Sequence, residues 1–330
     1  MMDRRTFLGA LGSGLLAMSR TVEGQQAAKV YRIGFLSAGS QPTSENLQAF
    51  EHALRGRGWM PGENLVITYP FADGKYDRLP ALAAELVRLE PRVIVAVPTV
   101  AARAVRDATT RIPIVMLFVS DPIAEGLIES FARPGGNVTG LTLTPTREIF
   151  AKQLQLLKET VSRARRIAFL WNPANPTTTG PPAVKIVEEA ARSLGVEAQV
   201  VGTRAPEEFE PAFRAMTQAR ADALLVQLDS MFFTHRARLA DLSGRHRLPT
   251  MYGAGEHAKA GGLMAYGLNL ADAYRRTADY VDRLLRGANP AELAVEQPTK
   301  FELIINLKTA KALGLTIPPS LLQRADQVIE

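Results

Sequence analysis

Residues 92–119 read RVIVAVPTVAARAVRDATTRIPIVMLFV, and this stretch decides the fold. Its first six residues form a nearly continuous, mostly β-branched apolar run, the pattern of a strand covered on both faces. Residues 101–108 read as helix and 114–119 (IVMLFV) as a second strand of the same kind. Buried strand, short helix, buried strand is the repeating unit of a doubly wound parallel sheet.

The same alternation extends in both directions. Before it, residues 30–36 (VYRIGFL) and 64–69 read as strands. Helices at 44–57 and 78–89 carry Leu47, Phe50 and Leu54, then Leu79, Leu82, Leu86 and Leu89, at helical spacing. A strand at 138–143 closes this group, and the pattern then starts again. Helices are expected at 149–161, 183–194, 206–218 and 235–246, and strands at 166–171, 197–201, 223–228, 249–252 and 262–266. A long amphipathic helix at 271–285, a strand at 302–306, a helix near 307–313 and a closing helix from Pro319 follow. The expected fold is α/β: two doubly wound parallel-sheet lobes with a ligand cleft between them.

Composition narrows the function. The chain has 330 residues, 46% hydrophobic and 22% charged, which excludes disorder, collagen and coiled coil. It has no cysteine, so it has no disulfide, thiolate zinc site, thiol nucleophile or cysteine-borne lipid anchor. Its 39 Lys+Arg against 33 Asp+Glu leave a scattered net charge of +6, which does not favour nucleic acid. Residues 1–17 (MMDRRTFLGALGSGLLA) have the layout of a signal peptide: Arg4 and Arg5, then Phe7 and Leu8, then a small apolar run. That core reads as a twin-arginine export address within a leader of residues 1–28, so a soluble periplasmic protein is expected.

Motifs for catalysis are missing. Residues 34–39 (GFLSAG) lack the dinucleotide fingerprint, and neither a P-loop nor a G-x-S-x-G elbow occurs. His52, His235, His246 and His257 show no metal spacing, so no metal, cofactor or catalytic residue is assigned. In parallel α/β sheets ligands sit outside the carboxyl ends of the strands. The candidates there are Ser37, Thr99, Ser120, Asp121, Asn172, Asp229, Tyr252, Glu256 and Tyr266. Each also has a plainer reading, because polar residues end most strands. Thr99 is expected to cap the helix after it, either for that helix alone or with its first-turn amides turned to a carboxylate. Asp121 either caps a turn or, like Asp229, meets an ammonium. Tyr252 and Tyr266 are expected in the cleft mouth as stacking surfaces, with Glu256 as a polar contact, whereas Phe232 and Phe233 read as core. A carboxylate site, an ammonium site and an aromatic surface together describe an amino acid.

Several blocks carry a family resemblance. They are YDRLP at 76–80, IPIV at 112–115 with SDP at 120–122, RPGGNVTG at 133–140 and WNPANP at 171–176. RHRLP at 245–249, MYG at 251–253, GGLM at 261–264 and the tail EQPTKFELIINLKTAKALGLTIPPS at 296–320 complete the set. From residue 29 onward the chain resembles the tryptophan/tyrosine-type substrate-binding proteins of ABC importers. The resemblance implies a type I periplasmic-binding fold with three crossings between lobes. Lobe one would comprise residues 29–144 with about 269–300, and lobe two 145–268 with about 301–330. It further implies a small-molecule ligand, an inner-membrane permease as partner, and a monomer that closes by a hinge. Where that family often has Gly-Thr-Pro, this chain has Val97, Pro98 and Thr99. The alternatives are a periplasmic ligand-sensing domain serving a signalling partner and, last, an α/β hydrolase.

Overall fold

The computed structural model describes residues 30–42, 44–143, 146–175, 177, 180–297 and 299–330; the expected leader lies outside them. The first group of elements is β1 (Tyr31–Ser37), α1 (Ser44–Arg55), β2 (Leu65–Thr68), α2 (Leu79–Arg88), β3 (Val93–Val97), α3 (Thr99–Ala108), β4 (Ile114–Val119) and β5 (Val138–Thr142). Their strands form an all-parallel sheet in the order β2-β1-β3-β4-β5. The unbroken apolar run in β3 is explained by two cores. Val93, Val95 and Val97 face one side with Phe50 and Leu54 of α1, whereas Ile94 and Ala96 face the other with Ala83 and Leu86 of α2.

The second group is α4 (Thr146–Thr160), β6 (Arg166–Trp171), α5 (Gly180–Ser193), β7 (Glu197–Gly202), α6 (Phe209–Gln218), β8 (Ala223–Val226), α7 (Ser230–Thr234), α8 (Arg236–Arg245), β9 (Thr250–Tyr252), α9 (Gly255–Lys259) and β10 (Met264–Leu268). The chain then returns through α10 (Leu270–Leu285), whose Ala273, Tyr274, Ala278 and Val281 pack on the first sheet beside α1. It crosses once more to β11 (Phe301–Asn306), α11 (Leu307–Ala312), α12 (Pro319–Leu322) and β12 (Gln327–Ile329). The second sheet runs β12-β11-β10-β9-β8-β6-β7, parallel except where β10 meets β11. Three passages thus join two α/β lobes.

The structure differs from the sequence reading in local ways. The helix expected at 235–246 is α8, and a short helix that was not expected, α7, precedes it, started by Asp229, which accepts the Met231 N–H. The strand expected at 262–266 begins and ends two residues later, at Met264–Leu268. The short α9 and β12 had no periodicity long enough to register. Among the described residues no helix is long and apolar enough to cross a membrane, and no group of three or more His, Asp or Glu could hold a metal ion.

Candidate ligand-binding cleft

The carboxyl ends of both sheets face each other across a cleft of about 1370 Å³, open to solvent. The first lobe contributes Ser37 and Ser40, Asn46 of α1, Pro98 and Thr99 after β3, and Phe118 and Ser120 of the β4 end. The second contributes Phe150 and Gln153 of α4, Asn175 and Thr177 beyond β6, and Gln227 and Asp229 beyond β8, with Phe233 and Gly253. Leu268, Leu270 and Tyr274 line it from the second passage. The described lining has one carboxylate, Asp229, and no lysine, arginine or histidine.

Ser37, Thr99, Ser120 and Asp229 therefore line the cleft, as the strand-end argument expects. Thr99 is not the cap, however. Pro98 holds the N-cap position behind a cis Val97–Pro98 bond, and the Thr99 Oγ1 accepts the Ser120 N–H at 3.2 Å. That bond ties the ends of β3 and β4 together at the start of α3, where Ala101 and Ala102 are the first amides to bond the Pro98 carbonyl and those of Thr99 and Val100 precede the helical ladder. Ser37 Oγ likewise accepts the Gly39 N–H at 3.2 Å, fixing the loop after β1.

Asp229 is the most heavily bonded side chain of the cleft. Its Oδ1 accepts from Asn172 Nδ2 at 3.1 Å and the Met231 N–H at 2.9 Å. Its Oδ2 accepts from Asn175 Nδ2 at 2.8 Å and from the phenol of Tyr76 at 2.7 Å. All four donors are neutral, so they orient the carboxylate without cancelling its charge. Tyr76 reaches it from the first lobe. Burial, and then the Asp229 charge, push the Tyr76 phenol well above the usual tyrosine range, so it stays a donor. Other bonds also cross between lobes: Ser40 N–H to Thr234 Oγ1 at 3.2 Å, Asn46 Nδ2 to Glu256 Oε1 at 2.8 Å, and Lys259 to Glu45 at 2.7 Å.

Five candidates sit elsewhere. Asn172 is buried behind the lining, where it holds Asp229. Asp121 is exposed and caps a turn by accepting the Ala124 N–H at 3.0 Å. Tyr252 is not in the cleft mouth: it is fully buried in the second lobe, stacked on His257 at 4.8 Å. Its hydroxyl donates to Ser243 Oγ at 3.0 Å, because the Ser243 proton is already given to the Leu239 carbonyl. Glu256 is buried against Asn46, behind the lining, and burial raises its carboxyl pKa. Tyr266 lies mid-strand, opposite Leu303 and stacked on Phe301, because β10 starts later than the sequence indicates.

The aromatic surface comes instead from Phe118, Phe150, Phe233 and Tyr274. Phe233 is a cleft residue rather than core, whereas Phe232 is core as expected. Phe118 sits at a bulge between Leu117 and Val119 with a left-handed φ of 61°, a conformation rare for a bulky residue. The bulge brings its ring edge-on to Tyr274 at 6.0 Å. In the run IVMLFV nothing marks it. Gln153 and Tyr274 were equally invisible, as members of ordinary amphipathic helices.

Comparison with known proteins gives a consistent set of relatives. A family model described as ABC transporter substrate binding protein matches residues 36–329. The chain is 24% identical over 317 residues to a tyrosine-binding protein of Clostridioides difficile, covering 93% of this chain and 90% of the relative. Among solved structures it resembles a conserved domain protein from Vibrio cholerae, at 24% identity and a TM-score of 0.83 over 91% of this chain and all of the other. It also resembles an ABC domain in complex with L-Trp from Streptococcus pneumonia, at 24% identity, a TM-score of 0.81 and the same coverage of both chains.

Proposed function

Because the chain belongs to the ABC transporter substrate-binding protein family, we propose that its cleft binds an aromatic amino acid, tyrosine or tryptophan, for delivery to an inner-membrane ABC permease. The observation that carries this reading is the lining itself, with four aromatic rings, hydroxyls at the start of α3, and one carboxylate held only by neutral donors. Thr99, Ser120 and the first amides of α3 form an electropositive wall suited to a ligand carboxylate. Asp229 supplies the opposite charge, and its field draws an ammonium, with no lysine, arginine or histidine among the described lining residues to take that place. Phe118, Phe150, Phe233 and Tyr274 cover an apolar side chain.

The bonds between lobes support capture by closure about the three passages, with the protein acting as a monomer exported by its residue 1–28 leader. The ligand class is supported by a relative that is a tyrosine-binding protein and by a similar structure solved in complex with L-Trp. Calorimetric titration of the purified protein against the twenty amino acids and small organic acids tests the reading. Saturable binding of tyrosine or tryptophan at one site per chain is expected. Binding of none of them, with tight binding of a sugar or nucleoside, refutes it.

A further inference from the structure

Gln153 is a buried polar side chain of the cleft wall whose Oε1 meets no donor among the described residues. It is 3% exposed and lines the cleft one helical turn beyond Ile149 and beside Phe150. Its Nε2 donates to the Tyr266 carbonyl at 2.8 Å. A carbonyl only accepts, so this bond fixes which end of the amide is which. The other end, Oε1, is a buried acceptor without a partner. β9 ends opposite Ala265, one residue short of Tyr266, which is why the Tyr266 carbonyl is available to hold the amide.

A buried acceptor left unpaired costs free energy, and buried polar groups in native proteins nearly always have partners. Its neighbours along the cleft face of α4, Ile149 and Phe150, are apolar, so a fitting partner is a donor carried by an otherwise apolar group. We propose that Gln153 determines specificity: its Oε1 accepts a hydrogen bond from the ring donor of the ligand side chain, an indole N–H or a phenol O–H. The inference rests on the aromatic-amino-acid reading above and deepens it. Phe118, Phe150 and Phe233 would accommodate phenylalanine as readily as tyrosine, and an acceptor beside them separates the two. Gln153 acts on the ligand directly, while Tyr266 acts through Gln153 as a positioning group.

The test compares ligand pairs that differ only in the donor: tyrosine with phenylalanine, and tryptophan with 3-benzothienylalanine, in which sulfur replaces the indole N–H. Calorimetry on the wild-type protein should show the donor-bearing member of the bound pair preferred by about tenfold or more. In Gln153→Met, which keeps the volume but loses the strong acceptor, that ratio should fall towards one while phenylalanine binding is retained, showing an intact cleft. Equal wild-type affinities within each pair overturn the assignment without any variant, and so does an undiminished ratio in Gln153→Met. A wild-type protein that binds none of the four overturns the function proposed above together with this assignment. One that binds them indifferently overturns only the role of Gln153.

Discussion

Removing a single oxygen atom from Tyr76 tests whether closure of the two lobes is part of binding. The Tyr76 phenol, on the short turn Tyr76–Arg78 of the first lobe, donates to Asp229 Oδ2 at 2.7 Å, and Asp229 heads α7 of the second lobe. The bond exists only when the lobes meet. A hydrogen bond to a charged group contributes about 1.5–3 kcal/mol. The loss in Tyr76→Phe should lie near the lower figure, because Asp229 keeps Asn172, Asn175 and the Met231 N–H. At ~1.4 kcal/mol per factor of ten, ligand affinity should fall by about tenfold. Calorimetry measures that change, and thermal midpoints with and without ligand locate it. The variant should lose ligand-induced stabilisation while its ligand-free midpoint changes little. Tyr280→Phe is the control, since its hydroxyl donates to the Ala294 carbonyl within the first lobe at 2.6 Å. That variant should lose stability and keep affinity. An unchanged dissociation constant in Tyr76→Phe, or equal destabilisation with and without ligand, would refute the reasoning.

Two further outcomes follow from the packing behind the cleft. A Cβ added to Gly267 would stand 1.9 Å from the carbonyl oxygen of Gly253, which lines the cleft, so Gly267→Ala must push two strands apart. It should cost about 1–3 kcal/mol in urea denaturation and weaken binding; an unaltered midpoint would contradict the close approach. Burial lowers the His257 imidazole from 6.5 to about 4, so the unfolded chain takes up a proton in a pH range where the folded protein does not. Stability should therefore decline as pH falls from 6.5 towards 4, by about 3 kcal/mol at most, and His257→Phe should flatten that decline in denaturation series; identical slopes would exclude the histidine as its source.

The fold was legible because β1, β2 and β3 of the first lobe are apolar runs, each followed by a helix with one apolar face. That pattern survives any error of a residue or two at element ends, since a parallel sheet needs only the alternation. It failed where elements are short or where a cap moved a boundary. Asp229 starts the short helix α7 ahead of the expected α8 by accepting the Met231 N–H, a bond that no hydrophobic period reports. The two-residue shift of β10 had a larger consequence. It took Tyr266 from a strand end to mid-strand, and so from the cleft to the packing against Phe301.

The site was legible only as a set of loops. The strand-end rule identifies where a cleft lies, and Ser37, Thr99, Ser120 and Asp229 line it for that reason. It does not say which way a side chain at such an end is turned. Asn172 and Asp229 follow adjacent strands, β6 and β8, yet one lines the cleft and the other stands behind it as a donor. Tyr252 ends its strand with its ring on the side of α8 and α9, where Ser243 takes its hydroxyl and His257 its face. Strand parity set that outcome: Met251 and Tyr252 point to opposite cores of the second lobe. Half of the aromatic wall came from outside the rule, Phe150 from α4 and Tyr274 from α10, and Phe118 joined it through a bulge at the β4 end. Helical residues such as Gln153 and Tyr274 enter a site through the angle at which their helix crosses the sheet ends, and that angle is a property of the packed lobes rather than of any local run of sequence.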